Sequence, residues 1–295
     1  MKKKTIEINS IFSIAEEMVK HNGEDSFCYK IDNEDFLIAS FDGLGGSGAK
    51  KYENYSGKTG AYIASRAVCG GVELWFNNSK DEKEILRYIQ DALGVCKKYA
   101  DNKVSRIMGS LSKAFPTTAS IITGKIDTNK IDITCLWAGD SRCYMLDIDG
   151  LHQLSKDDLD GQDAMSNLKN DGVMTNVINA TTSFEIHTNK FDVEHPCIFL
   201  TATDGCFGYL NSPMEFEHLL LDTLIKSKNI HEWKIALNER MHNVTGDDYT
   251  LCVVICGFAD FEDIQRTFVK RNTYVVDNYI NTQNDVNAMW DIYKK

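Results

Sequence analysis

The chain has 295 residues, 43% hydrophobic and 25% charged with only 3 prolines, the composition of a globular protein of one large domain or two small ones. A formal net charge of -11 leaves no basic face for nucleic acid, so no nucleic-acid partner is expected, and the excess carboxylates leave room for bound cations. The 9 cysteines are odd in number, scattered and without a CxxC pair, which predicts a reduced, cytoplasmic protein with neither a disulfide frame nor a zinc site.

Met1-Lys2-Lys3-Lys4 has the basic start of a leader peptide, but Glu7, Asn9, Glu16 and Glu17 break up the residues after it, so no signal peptide is expected. No apolar run reaches the roughly 18 residues of a membrane span, and no membrane partner is expected. The first elements read as a strand over 26–31, a turn at Asp32-Asn33 and a strand over 36–41. Two helices come next, over 51–76 and 80–104; in the second, Ile85, Tyr88, Ile89, Leu93 and Cys96 recur at helical spacing. Short strands are expected over 119–126, 131–138, 142–148 and 151–154, with Asp149-Gly150 as the hairpin turn between the last two. A polar stretch at 155–182 interrupts the pattern, and strands resume near 184–187 and 196–203. Helices are expected at 214–226 and 230–243, then a strand over 249–257 and a less regular tail from 259. Val286, Met289, Trp290 and Tyr293 share one face of a short terminal helix, read as docked on the rest of the chain. Runs of antiparallel strands set apart from paired helices make the fold class α+β.

Acidic residues recur at the strand ends. Gly23-Glu24-Asp25 precedes the first strand, Asp42-Gly43 ends the second, and Asp140 lies in Ala138-Gly139-Asp140-Ser141-Arg142. Asp204-Gly205 comes after an apolar strand, and Gly246-Asp247-Asp248 opens the last one. Any one of them could simply shape a turn, as Asp-Gly pairs do. If the strand tips adjoin, each pair about 4 Å apart repels by roughly 4 kcal/mol at an effective dielectric near 20. Such a cluster calls for cations, and an oxygen-only donor set suits Mg²⁺ or Mn²⁺.

Taken in order, Glu24-Asp25, Phe41-Asp42-Gly43-Leu44-Gly45-Gly46, Thr117-Thr118-Ala119, Ala138-Gly139-Asp140-Ser141-Arg142, Thr203-Asp204-Gly205 and Asp247-Asp248-Tyr249-Thr250 resemble the metal-dependent protein phosphatases. This is the protein phosphatase 2C family, in its bacterial form, and the likeness runs from about Lys20 to Gly257. It implies a central β-sandwich of two antiparallel sheets flanked by helices on both sides. The catalytic domain would span 1–258, with 259–295 a helical, docked extension.

The resemblance further implies a serine/threonine phosphoprotein phosphatase using two Mg²⁺ or Mn²⁺ ions and a weaker third. Phosphomonoesters would be hydrolysed by direct attack of a water shared between the two ions. By position, Asp42 would bridge both ions and Asp204 and Asp247 would complete the first. Glu24 and the Gly43 carbonyl would bind the second, Asp25 would orient the water, and Asp140 with Asp204 would form the third site. The partners implied are a phosphorylated Ser/Thr protein substrate and a cognate kinase. The chain has no Cys-x5-Arg loop, so a cysteine nucleophile is disfavoured. A catalytically silent phosphoprotein-binding module and a small-molecule phosphatase remain the alternatives.

Four positions depart from the family pattern. Leu44 stands where many eukaryotic members carry a histidine, which leaves the proton donor unassigned. Lys20 aligns with the phosphate-binding arginine; it is either a point-charge replacement or a solvated helix-end lysine. Gly208 replaces an aspartate that supports the third metal, and Pro116 replaces the glycine before Thr117-Thr118. The 155–182 stretch corresponds to the family's variable flap, which shapes substrate access.

Overall fold

Strands that alternate between two apolar faces and helices with one apolar stripe generate four layers. In a computed structural model of the chain, residues 6–100, 114–161, 163–169, 172–282 and 285–294 are described. The elements in order are β1 (Ile8–Glu16), β2 (Ser26–Asp32), β3 (Asp35–Phe41), α1 (Gly45–Gly48), β4 (Lys51–Tyr52), β5 (Lys58–Thr59), α2 (Gly60–Asn78) and α3 (Ile85–Tyr99). Next come β6 (Ala119–Asp127), β7 (Lys130–Ala138), β8 (Arg142–Asp147), β9 (Gly150–Gln153), α4 (Ala164–Lys169), β10 (His187–Val193) and β11 (Cys197–Ala202). The chain continues through α5 (Pro213–Lys226), α6 (Ile230–His242), β12 (Tyr249–Cys256), α7 (Phe261–Val275), a π-helical turn at Val276–Ile280, and α8 (Val286–Tyr293).

Two five-stranded sheets have the orders β1-β12-β11-β8-β9 and β10-β7-β6-β3-β2, and every pairing is antiparallel. The period of two along a strand assigns each side chain to a layer. Phe36 and Ile38 of β3 and Cys252, Val254 and Cys256 of β12 fill the space between the sheets. Leu37, Ala39 and Phe41 face α2 and α3, while Leu251, Val253 and Ile255 face α5, α6 and α7. Each such side chain, fully buried, contributes roughly 1.5–3 kcal/mol. The result is the expected α+β sandwich with helices on both faces.

Helix starts obey local chemistry. Thr59, Ser212, Asn229 and Asp260 each accept a hydrogen bond from the backbone N–H of residue N3 of the helix they precede, and Pro213 occupies the first turn of α5. The Thr59 cap corrects the helix expected from residue 51. Residues 51–59 instead form the small β4–β5 hairpin, with Ser56 and Gly57 at positive φ. The second helix ends at Tyr99; the part expected at 101–104 lies outside the described residues. The strand expected at 184–187 begins only at His187. The hairpin turn falls on Ile148-Asp149, because Asp147 pairs with Gly150.

Two of the longer elements were not foreseen. β1 forms an edge of its sheet, pairing Phe12 with Val253 and Ile14 with Leu251. The tail is more regular than expected: Ile264, Phe268 and Val275 bury one face of α7 in the layer shared with α5 and α6. In α8, Met289 is buried and Trp290 and Tyr293 pack on the same cluster, so the terminal helix is docked. All nine cysteines are free thiols. Among the described residues, no helix is long and apolar enough to cross a membrane.

Candidate metal centre

Strand register carries the acidic motifs to one end of the sandwich. Ser26 pairs with Phe41, Ser40 with Ser120, and Ala119 with Ala138, so Glu24-Asp25, Asp42 and Asp140 leave their sheet at the same end. In the other sheet Ala202 pairs with both Arg142 and Leu251, which places Asp204 and Asp247 at that end too. A buried cross-link ties the sheets together just before the tips. The Ser40 hydroxyl lies 2.9 Å from the Thr201 hydroxyl and 3.2 Å from its carbonyl oxygen.

Each acidic loop is held by its backbone. The Asp42 carbonyl accepts from the Thr117 hydroxyl at 2.7 Å and the Thr118 amide at 2.8 Å. Gly43 has no room for a side chain, because a Cβ there would lie 2.7 Å from both the Ala61 and Glu24 carbonyl oxygens. The Glu24 carbonyl accepts from the Ser65 hydroxyl at 2.5 Å, and its carboxylate accepts from the Thr59 hydroxyl. Arg66 donates to the carbonyls of Gly23 and Glu24 while its guanidinium lies over Tyr62. Asp248 accepts from the amides of Met18 (2.8 Å) and Glu24 (2.9 Å), joining the start of β12 to the loop before β2. Asp25 accepts from the Thr203 hydroxyl at 2.8 Å, and that hydroxyl accepts from the Thr250 amide.

The electrostatics are those of anions crowded together and only partly offset by Arg142 and Arg66. Burial, then the charges of Asp204, Asp25, Asp140 and Asp247, push the Asp42 carboxyl well above its ordinary range. Asp25 rises to about 7 through burial and the Asp204 charge, against the Thr203 hydrogen bond. Asp140 also reaches about 7, from burial, Asp204 and Asp157. Asp204 reaches about 6 from burial and Asp247, moderated by its backbone hydrogen bond and by Arg142. Glu24 and Asp247 shift upward as well, chiefly through burial.

A cleft of about 480 Å³ opens on this cluster, lined by Glu24, Asp42, Gly43, Leu44, Asp247 and Asp248 among others. Among the described residues no three His, Cys, Asp or Glu side chains form a ready metal-ligating group; Glu24, Asp42 and Asp247 line the cleft, Asp25 lines a neighbouring cavity, and Asp140 and Asp204 line neither. Three features nonetheless fit a hard cation. Asp140 Oδ1 is buried without a hydrogen-bond partner, the Gly43 backbone is fixed at the cleft, and the donors are all oxygens.

Lys20 is not in this cleft. It is exposed and lines a neighbouring cavity of about 660 Å³ with Asp25, Arg66 and Asp248. At Gly208 a Cβ would lie 2.9 Å from the Asp204 carbonyl oxygen, and the Gly208 amide donates to that oxygen. That tight turn, with the amide against the carbonyl, leaves little space for the aspartate of the family pattern. Sequence reasoning missed Arg142 as a participant. Its guanidinium is buried and paired with Asp157 through three contacts of 2.7–3.2 Å, and it stacks on Phe207. The arginine stands inside the Asp140 motif; its partner lies in the polar stretch, where no periodicity marks it.

The architecture is that of the bacterial metal-dependent Ser/Thr phosphatases, and the resemblance read from the sequence holds at the level of fold. No protein-family model matches the chain. A Mycoplasma genitalium protein described as "Putative protein phosphatase" is 22% identical over 250 residues, covering 80% of this chain and 90% of its own. Serine/threonine phosphatase Stp1 from Staphylococcus aureus superposes with a TM-score of 0.60 at 14% identity, covering 86% of this chain and 97% of that one. The catalytic domain of the serine/threonine phosphatase PstP, in complex with 2 manganese ions, gives 0.54 at 15% identity over 85% and 98%.

Proposed function

We propose that the chain is a Mg²⁺- or Mn²⁺-dependent phosphatase acting on phosphoserine and phosphothreonine in proteins. The observation that carries this reading is Asp42, a buried-end carboxylate whose surroundings are four other carboxylates. Buried anions are normally paired or bound to metals, and relatives with this fold include a manganese-bound phosphatase.

In this reading Glu24, Asp42, the Gly43 carbonyl, Asp204 and Asp247 hold the cations, with Asp140 beside Asp204 as the weaker site. Bound divalent cations supply Lewis-acid activation of water and neutralise charge on the phosphoryl oxygens. Asp25, fixed by Thr203, accepts a hydrogen bond from the attacking water and sets its direction. Water adds to phosphorus, the phosphorus–ester oxygen bond breaks, and the alcohol side chain leaves with a proton. Leu44 lines the cleft and can give no proton, so solvent in the cleft protonates the leaving oxygen. No cysteine lines the cleft among the described residues, in keeping with direct attack by water. Lys20 serves at the rim, beside Asp25, as a point charge for substrate phosphate.

The reading is tested by turnover of an aryl phosphate and a phosphothreonine protein with Mn²⁺ and then with chelator. Turnover of both that vanishes with chelator supports it. No metal-dependent turnover of either would point to the silent binding module, and turnover of the aryl phosphate alone would point to a small-molecule phosphatase.

A further inference from the structure

The 155–182 flap is anchored beside the carboxylates at both stems. At its start, Asp158 and Gly139 exchange hydrogen bonds: the Asp158 amide donates to the Gly139 carbonyl, and the Gly139 amide donates to the Asp158 carboxylate, each at 2.9 Å. Gly139 adjoins Asp140, and the neighbouring Asp157 holds Arg142. At its end, Ile178 and Thr117 exchange backbone hydrogen bonds of 3.0 and 3.1 Å, and the Thr117 hydroxyl holds the Asp42 carbonyl.

Between the stems sits α4, six residues long and far too short to be helical by itself. Inward, Asn167 of α4 donates to Asp157 at 2.7 Å. Outward, the ties of α4 run to the C-terminal helix. Trp290 Nε1 donates to Asp163 Oδ2 at 2.8 Å, the Lys294 ammonium lies 3.3 Å from the same oxygen, and Lys169 donates to Asn287 at 2.6 Å. Asp163 Oδ1 meanwhile accepts from the Ser166 amide, capping α4.

α8, with eight residues, is also below the length of a stable isolated helix. It is held by buried Met289 and by the Tyr293 hydroxyl, which donates at 2.6 Å to Glu217, the fully buried partner of Arg271. A partly open pocket of about 510 Å³ beside it is bordered by Tyr274, Tyr279, Trp290, Tyr293 and Arg271. A helix too short to persist alone is helical while docked and unfolds when released.

We propose that α8 is a clamp on the flap, with Trp290 and Asp163 as positioning residues that set how a phosphoprotein reaches the carboxylate cleft. The proposal rests on the phosphatase reading above for its kinetic consequence, though not for its structural one. Release of α8 removes the partners of Asp163 Oδ2, loosens α4, and frees the segment between the two stems. The stems of that segment adjoin Asp140 and the Asp42 carbonyl, so a polypeptide held at the cleft would reach it, whereas an aryl phosphate is too small to do so.

Two substitutions cut the clamp in different ways. Trp290→Phe keeps an aromatic ring on α8 and removes the donor. Asp163→Asn keeps the oxygen that caps α4 and turns the acceptor of Trp290 into a donor. Ala288→Ser, exposed on α8 and not among the residues that border the pocket, is the control. Hydrogen exchange of the full-length chain reads the flap directly. Amides in 155–182 are expected to exchange roughly tenfold faster in Trp290→Phe and Asp163→Asn, with β6 and β12 unchanged. With Mn²⁺, KM for a phosphorylated protein rises by about threefold or more while kcat on an aryl phosphate stays within about twofold. Unchanged flap exchange in both variants overturns the clamp, as does an equal fall of kcat on both substrates. If the wild type turns over neither substrate, the phosphatase reading fails, and the exchange measurement still decides the clamp.

Discussion

Strand β8 has an aspartate near each end, and the two behave in opposite ways. Before its start, Asp140 is surrounded by burial and like charge, and its carboxyl rises to about 7. At its end, burial also pushes Asp147 upward, but its partners win. His152 lies 3.1 Å from one oxygen, the amides of Asp149 and Gly150 donate to that same oxygen, and His195 lies 3.2 Å from the other; the carboxyl falls to about 2. Asp147 is a turn aspartate whose charge the protein itself satisfies. Asp140 keeps one carboxylate oxygen without a hydrogen-bond partner, and like charge crowds it. Position at a strand tip is common to both, and the supply of partners separates structure from site.

The comparison breaks first if the two ends respond alike to removal of a charge. Asp42→Asn is expected to lower metal-dependent turnover by about 10³-fold or more, while Asp147→Asn leaves it within about twofold. Steady-state kinetics on an aryl phosphate checks both.

Arg142 is a buried cation at the carboxylate end. Arg142→Ala leaves Asp157 buried and unpaired, and the expected cost is about 3–5 kcal/mol. Denaturant unfolding measures it, and a loss below about 1 kcal/mol would mean that the pair does not anchor this end of the sandwich.

A third outcome concerns pH. Asp25, Asp140 and Asp204 have folded values of about 7, 7 and 6, above the roughly 3.9 of an unfolded aspartate. In metal-free protein the stability tied to their protons is complete below pH ~4 and lost as pH rises through 6–7. The metal-free Tm should therefore fall between pH 5 and about 8, and Mn²⁺ should raise it most at the upper end. Asp147 has the opposite sign: its contribution is present above pH ~4 and lost as pH falls towards about 2. His152, raised by its bond to Asp147, stabilises most below pH ~6.5 and less as pH climbs past its folded value.

The smallest effect is at that satisfied end. Asp147→Asn should cost about 1–2 kcal/mol near pH 6, since its histidine partners are half exposed and screened. Thermal unfolding at pH 6 and pH 8.5 would read it, with the smaller loss at the higher pH.

How much of this the sequence carried depends on whether a feature is local. Strands β3, β11 and β12 were legible as short apolar runs bounded by turn residues, whereas the sandwich with the acidic motifs at one end was implied only by the family resemblance. β1 was hidden because its lysine-rich approach reads as a failed leader, although Phe12 and Ile14 alternate correctly. α7 was hidden in a polar tail, with Asp260 capping it as the overlooked signal. The convergence of Asp42 with Asp204 depends on pairing between distant strands and on the Ser40–Thr201 contact across the sheets, neither of which has a sequence period. Arg142–Asp157 and Trp290–Asp163 are tertiary pairs of the same kind. Lys20, chosen by alignment of position, lines a cavity beside the cleft and not the cleft itself.

The central claim is that the carboxylates at one end of the sandwich form a divalent-cation site. Calorimetric titration of Mn²⁺ into metal-free protein at pH 6.5, in buffers of different protonation enthalpy, tests it without reference to turnover. The expected result is saturable binding with release of protons, abolished in Asp42→Asn and intact in Asp147→Asn. Equal binding by wild type and Asp42→Asn, or binding without proton release, would contradict it.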